Sequence, residues 1–233
     1  MTPENFLEEI KKSCSEELLC FIVYGSAAAG DALPDRSDCN VLLVLKAAPL
    51  AALTALAGVS KNWIKKGNPP PLVFTPGQLL SSGDTFPIEL SDMKDFHKVL
   101  YGEDPLPGIA IAPEHLRLAV ERELKGKLLL LRETYLVRGG DRKALTALMT
   151  DSLSQFLVLC RAGLRLFAGT VPSSKLACAA ELGRQAGFDA GIFSDIHELR
   201  AGTYRGGEDA GKLFGRYLAA AEALCAAADG WKR

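Results

Sequence analysis

Leu18-Leu-Cys-Phe-Ile-Val-Tyr24, then Gly25-Ser26, then a polar loop leading through Ser37-Asp38-Cys39-Asn40 into Val41-Leu-Leu-Val-Leu45, is the stretch that decides the fold. Residues 18–24 and 39–45 are short apolar runs rich in β-branched and aromatic side chains, so both predict buried strands. Gly25 ends the first run where the backbone must turn sharply. Between the runs, Ser26-Ala-Ala-Ala-Gly30 has room for about one to two helical turns, and residues 31–37, with Pro34 among them, form a polar loop.

Working outward, Thr2-Pro3 predicts a helix start, and Phe6, Leu7 and Ile10 fall on one face of a lead helix ending near Ser15. Residues 49–66 have helical apolar spacing and stop before Gly67 and the prolines 69–71. Residues 72–75 and 86–90 are expected to add two short strands around a helical stretch at Gln78-Leu79-Leu80. Pro105, Pro107 and Pro113 then crowd one segment, and strand-like runs nearly vanish beyond it. Five helices are expected there, near 113–137, 141–168, 172–187, 190–201 and 208–229, separated by glycines. The expectation is an α+β chain: an α/β-type N-terminal half over residues 1–108 and an all-α helical bundle over 109–233.

Bulk properties narrow the function. An apolar fraction of 48% with 24% charged residues fits a folded globular chain. Basic and acidic residues number 27 and 28, so no global field exists to hold a polyanion or an anionic membrane, which argues against a nucleic-acid partner. Six scattered cysteines without CxxC or Cys/His metal spacing read as buried thiols of a reducing compartment. No basic leader precedes the first helix and no run is long enough to span a bilayer, so a cytoplasmic location without a membrane partner is expected.

Chemistry is concentrated in the opening stretch. Gly25 after a strand, with Ser26 starting a helical turn, can present backbone amides and a hydroxyl to phosphate oxygens. Asp38 stands where the next strand begins, and in strand geometry it shares a side with Asn40. Gly-Ser, a spacer, then Asp38-Cys39-Asn40 before an apolar strand resembles the signature of the DNA polymerase β-type nucleotidyltransferases over about the first hundred residues. The order of sheet and helical bundle resembles the aminoglycoside (streptomycin-type) adenylyltransferases. Asn40 stands where that signature has its second Asp.

The resemblance implies a mixed-sheet domain that transfers a nucleoside monophosphate from a nucleoside triphosphate, ATP foremost, to a hydroxyl of a small-molecule or protein acceptor, with Mg²⁺. Gly25, Ser26, Arg36 and Asn40 would hold the nucleotide. Asp38, Asn40 and Glu89 would hold the metal, with Asp38 and Glu89 the catalytic pair and Glu89 the general base. In this reading Glu89 sits on the strand at 86–90, and Asp92 points to its opposite face. The helical half would close one side of a cleft and select the acceptor, and a homodimer is allowed. Because Asn40 is neutral, a second reading stays open: a catalytically weak or inactive nucleotide-binding module that works through protein partners, as an antitoxin does.

Several residues have plainer readings beside the functional one. Tyr24, Phe86 and Trp63 could stack on a base or fill the core. Arg117, Glu121 and Lys125, spaced four apart, line one helical face; Glu121, Arg122 and Lys125 could face a cosubstrate, or the set could be a salt-linked solvent surface. His97, His115 and His197 lack metal spacing and read as structural.

Overall fold

The structure, a computed structural model, describes residues 1–25, 28 and 39–231. The chain is α+β and divides into two compact units, Met1–Ala112 and Pro113–Arg233.

The first unit is built on a four-stranded mixed sheet. Helix α1 (Pro3–Cys14) is capped by the Thr2 side chain and followed by strands β1 (Leu18–Tyr24) and β2 (Asn40–Leu45). Helix α2 (Leu50–Lys65) leads to β3 (Leu72–Phe74), and helices α3 (Pro76–Leu80) and α4 (Pro87–Asp95) precede β4 (His97–Tyr101). Strand order is β3-β2-β1-β4. β1 pairs antiparallel with β2 and with β4, while β2 and β3 run parallel. The most apolar strands therefore occupy the centre.

Both faces of the sheet are covered, which explains why β1 and β2 are continuous apolar runs rather than alternating ones. On one face Phe21, Val23, Val41, Leu43 and Leu45 pack against Phe6, Ile10 and Trp63. The Trp63 ring stacks on Phe6 with centroids 4.6 Å apart and planes 8° from parallel. Its indole nitrogen donates to the carbonyl of Pro69 at 2.8 Å, which ties the proline segment to α2. On the other face Cys20, Ile22, Leu42 and Val44 meet Leu79, Leu90, Met93 and Leu106.

One expectation is overturned here. Residues 86–90 do not form a strand; they open helix α4, with Pro87 in its first turn. The alternation Phe86, Ile88, Leu90 resembles a strand over five residues, but Pro87 suits a first helical position and Leu90 and Met93 present one helical face to the sheet. The fourth strand is instead His97–Tyr101, none of whose residues is fully buried, so no apolar run marks it in the sequence. The expected turns at 26–30 and the loop at 31–37 lie outside the described residues, apart from Ala28, whose amide donates to the Gly25 carbonyl at 3.0 Å.

The second unit consists of helices α5 (Pro113–Arg138), α6 (Arg142–Ala168), α7 (Lys175–Ala186), α8 (Gly191–Ala201) and α9 (Ala210–Gly230). Asp141, Ser174 and Asp209 cap α6, α7 and α9 with their side chains, and glycines close α6, α7 and α8. Phe156, Phe193 and Tyr217 form a mutually packed aromatic centre, with centroids 5.3–6.3 Å apart. All six cysteines are free thiols, and only Cys39 is less than buried. Among the described residues no helix is long and apolar enough to cross a membrane.

Candidate functional site

The C-terminal end of β1 gathers the described residues of the motif. Gly25 has φ +83°, in the left-handed region that favours glycine. A Cβ on it would lie 3.1 Å from Nδ2 of Asn40, so the turn and the Asn40 amide are in close approach. Tyr24 is the register partner of Asn40 on β2 and of His97 on β4. These three residues form one row across the sheet, and alternation along β2 puts Asn40 on the side of Leu42 and Val44.

Two braces fix the row. Cys39, immediately before β2, donates its amide to Oδ1 of Asn68 at 3.0 Å. The Gly25 amide donates to the carbonyl of Phe96 at 3.1 Å, which staples the turn to the start of β4.

Neither any protein-family model nor any curated protein matches this chain. The site's chemistry therefore rests on its own residues.

Glu89 is exposed, in the first turn of α4, where a carboxylate also complements the positive end of the helix dipole. It is not on a strand; burial first, and then the charge of Glu89, push the Tyr24 phenol up to about 12. Asp92, expected on the face opposite Glu89, lies three residues further along the same helix, and spacing of three puts the two on neighbouring positions of its surface. The structure thus brings Gly25 and Asn40 together at one end of the sheet, and the Glu89 charge acts on Tyr24 in the same row. Ser26, Arg36 and Asp38 lie outside the described residues.

The Mg²⁺ donor set can be judged by its chemistry. Among the described residues no group of three or more His, Cys, Asp or Glu side chains is placed to hold a metal ion. The described donors, the Glu89 carboxylate and the Asn40 carbonyl, are hard oxygens. Mg²⁺ accepts one or two carboxylates when substrate phosphates and waters complete its shell, so these residues fit a share of such a site.

Other candidates resolve into structure. Trp63 is fully buried and belongs to the core, whereas Tyr24 is half-buried and Phe86 is exposed at the cap of α4. Glu121 is bonded by Arg117 and by Lys125, which also reaches Asp229, so this set is an ion-paired surface. His97 was read as structural, yet it stands in the row beside Tyr24, with Nε2 2.9 Å from Oδ2 of Asp104. No sequence signal marked it, because its strand was not expected.

Proposed function

We propose that the chain is a Mg²⁺-using nucleotidyltransferase-like protein of the DNA polymerase β type, with its site at the end of β1 and β2. The observation that carries this reading is the approach of the Gly25 turn to Asn40, with the Glu89 charge acting on the paired Tyr24. In this reading a turn suited to phosphate and the acids named by the motif share one edge of the sheet.

The left-handed turn at Gly25, with Ser26 after it, receives the triphosphate. Asp38, Asn40 and Glu89 would hold Mg²⁺, which when bound neutralises phosphate charge and polarises the α-phosphoryl group. The acceptor hydroxyl oxygen attacks the α-phosphorus, the bond to the bridging oxygen breaks, and pyrophosphate leaves. Glu89 accepts the hydroxyl proton, and its exposed position leaves it open to an acceptor. Arg36 would pair with phosphate oxygens. ATP is the first triphosphate to test, and the acceptor is a hydroxyl-bearing small molecule or protein.

Calorimetric titration with Mg²⁺ and each of ATP, GTP, CTP and UTP tests this. Binding of at least one triphosphate is expected, and binding of none sinks the proposal.

A second reading is favoured by Asn40, which supplies a neutral amide where the signature has a carboxylate. The chain would then be a nucleotide-binding regulatory module of weak or absent turnover, working through a protein partner. Pyrophosphate release separates the two. An inactive parent that gains turnover on Asn40→Asp supports the module, and an active parent that loses it on Asp38→Ala supports the transferase.

A further inference from the structure

The His97–Asp104 pair is used neither by the motif nor by the reaction above. His97 opens β4 and is the register partner of Tyr24, and the residue before it, Phe96, accepts the Gly25 amide at 3.1 Å. Its imidazole is largely enclosed, with 17% of the side chain exposed. Nε2 lies 2.9 Å from Oδ2 of Asp104, and Oδ1 of the same carboxylate accepts the Leu106 amide at 3.0 Å. Asp104 follows Gly102, whose φ of +80° lets the chain pass against the backbone of Leu19; a Cβ there would collide with the Leu19 carbonyl.

A line of bonds therefore runs from Leu106 through Asp104 and His97 to the start of β4, and from Phe96 to the Gly25 turn. Hydrogen bonds to a carboxylate are about twice as strong as neutral ones, and one with both oxygens engaged has little freedom to re-aim. Because Asp104 is exposed, the pair adds little net stability, and its plainer effect is to fix geometry. Its place at the start of β4, next to the Phe96 carbonyl that accepts the Gly25 amide, puts that effect beside the turn.

We propose that His97, held by Asp104, is a positioning residue for the Gly25 turn, setting the direction in which the turn presents its backbone to the phosphates of a bound nucleoside triphosphate. The inference rests on the function proposed above for its ligand, but not for the tether itself.

The test uses the full chain with His97→Ala, Asp104→Ala and His97→Gln, the last keeping an amide nitrogen that can donate to Asp104. Amide hydrogen exchange is read at Gly25 relative to Ile22, and affinity is read by calorimetry with ATP, GTP, CTP and UTP, each with Mg²⁺. His97→Ala and Asp104→Ala are expected to raise Gly25 exchange relative to Ile22 and to weaken triphosphate binding about tenfold, the loss of one charge-assisted hydrogen bond. His97→Gln should restore most of both. Unchanged relative exchange at Gly25 in His97→Ala and Asp104→Ala overturns the proposal, as does failure of His97→Gln to restore it. If His97→Ala does not fold, Asp104→Ala and His97→Gln are read by the same criteria. A wild-type chain that binds no triphosphate, with Gly25 exchange still raised in the variants, removes the nucleotide function and leaves the tether standing.

Discussion

The side-chain nitrogen of Asn40 lies 3.1 Å from the point that a Cβ on Gly25 would occupy, so the turn after β1 and the first residue of β2 limit each other's size. A methyl group at that distance forces a shift of a few tenths of an ångström. Gly25 also holds φ +83°. Gly25→Ala is expected to cost about 1–2 kcal/mol for the left-handed backbone alone, with a smaller steric part. Chemical denaturation of Gly25→Ala, Asn40→Ala and the double variant checks this: the double should recover only the steric part. Recovery of the whole loss would show that the backbone is unstrained.

Tyr24 is expected to titrate at about 12, raised first by burial and then by Glu89. A tyrosine is neutral below its pKa, so a folded value above the unfolded one, about 10, favours the folded state at lower pH. That stabilisation is full below about 10 and is lost as pH rises from about 10 to about 12. The difference in ultraviolet titration between the parent and Tyr24→Phe reports the phenol, and Glu89→Gln should move it downward. No movement in Glu89→Gln would separate Glu89 from the row and remove the electrostatic link on which its site role depends.

Trp63 is expected to act through the core and not through a ligand. Trp63→Ala should cost about 3–5 kcal/mol, as for other buried aromatic truncations, because it loses the Phe6 stack and opens a void. Trp63→Phe keeps a ring beside Phe6 and loses the bond to Pro69, so a loss nearer 1 kcal/mol is expected. Thermal melts order the two. If Trp63→Phe weakens triphosphate binding at temperatures where it stays folded, the core assignment fails.

In the second unit Arg216 bonds Asp189, Asp195 and Glu208, tying α9 to the start of α8 and to the segment before α9. These carboxylates raise its pKa above the ordinary arginine value. Arg216→Ala leaves three neighbouring carboxylates without their shared cation, and the side chain is about one-third exposed. A loss of about 1–3 kcal/mol is expected, reduced by added salt as repulsion is screened. Arg216→Lys should recover only part, since an ammonium cannot span three partners with fixed geometry. Denaturation at two ionic strengths measures both effects.

Most of the architecture was legible along the chain because its signals are local. Thr2-Pro3 opens α1, the apolar runs form β1 and β2, and the glycines after residues 168, 186 and 201 close three helices of the second unit. The segment at 86–90 misled because five residues are too few to separate a period of two from one of 3.6 when every second residue is apolar. Pro87 with an acid two residues later was the better signal, since both belong in a first helical turn.

What the sequence determined by itself is therefore most of the elements, β1, β2 and the helices of the second unit among them, because propensity, capping and burial pattern act over a few residues. Only the tertiary structure decided which distant residues stand beside that turn. The Glu89 charge acts on Tyr24 from a helix, and His97 and Asp104 reach Gly25 through β4. Strand pairing sets those neighbours, and pairing depends on register and on which faces must be buried together, which no short window of sequence contains.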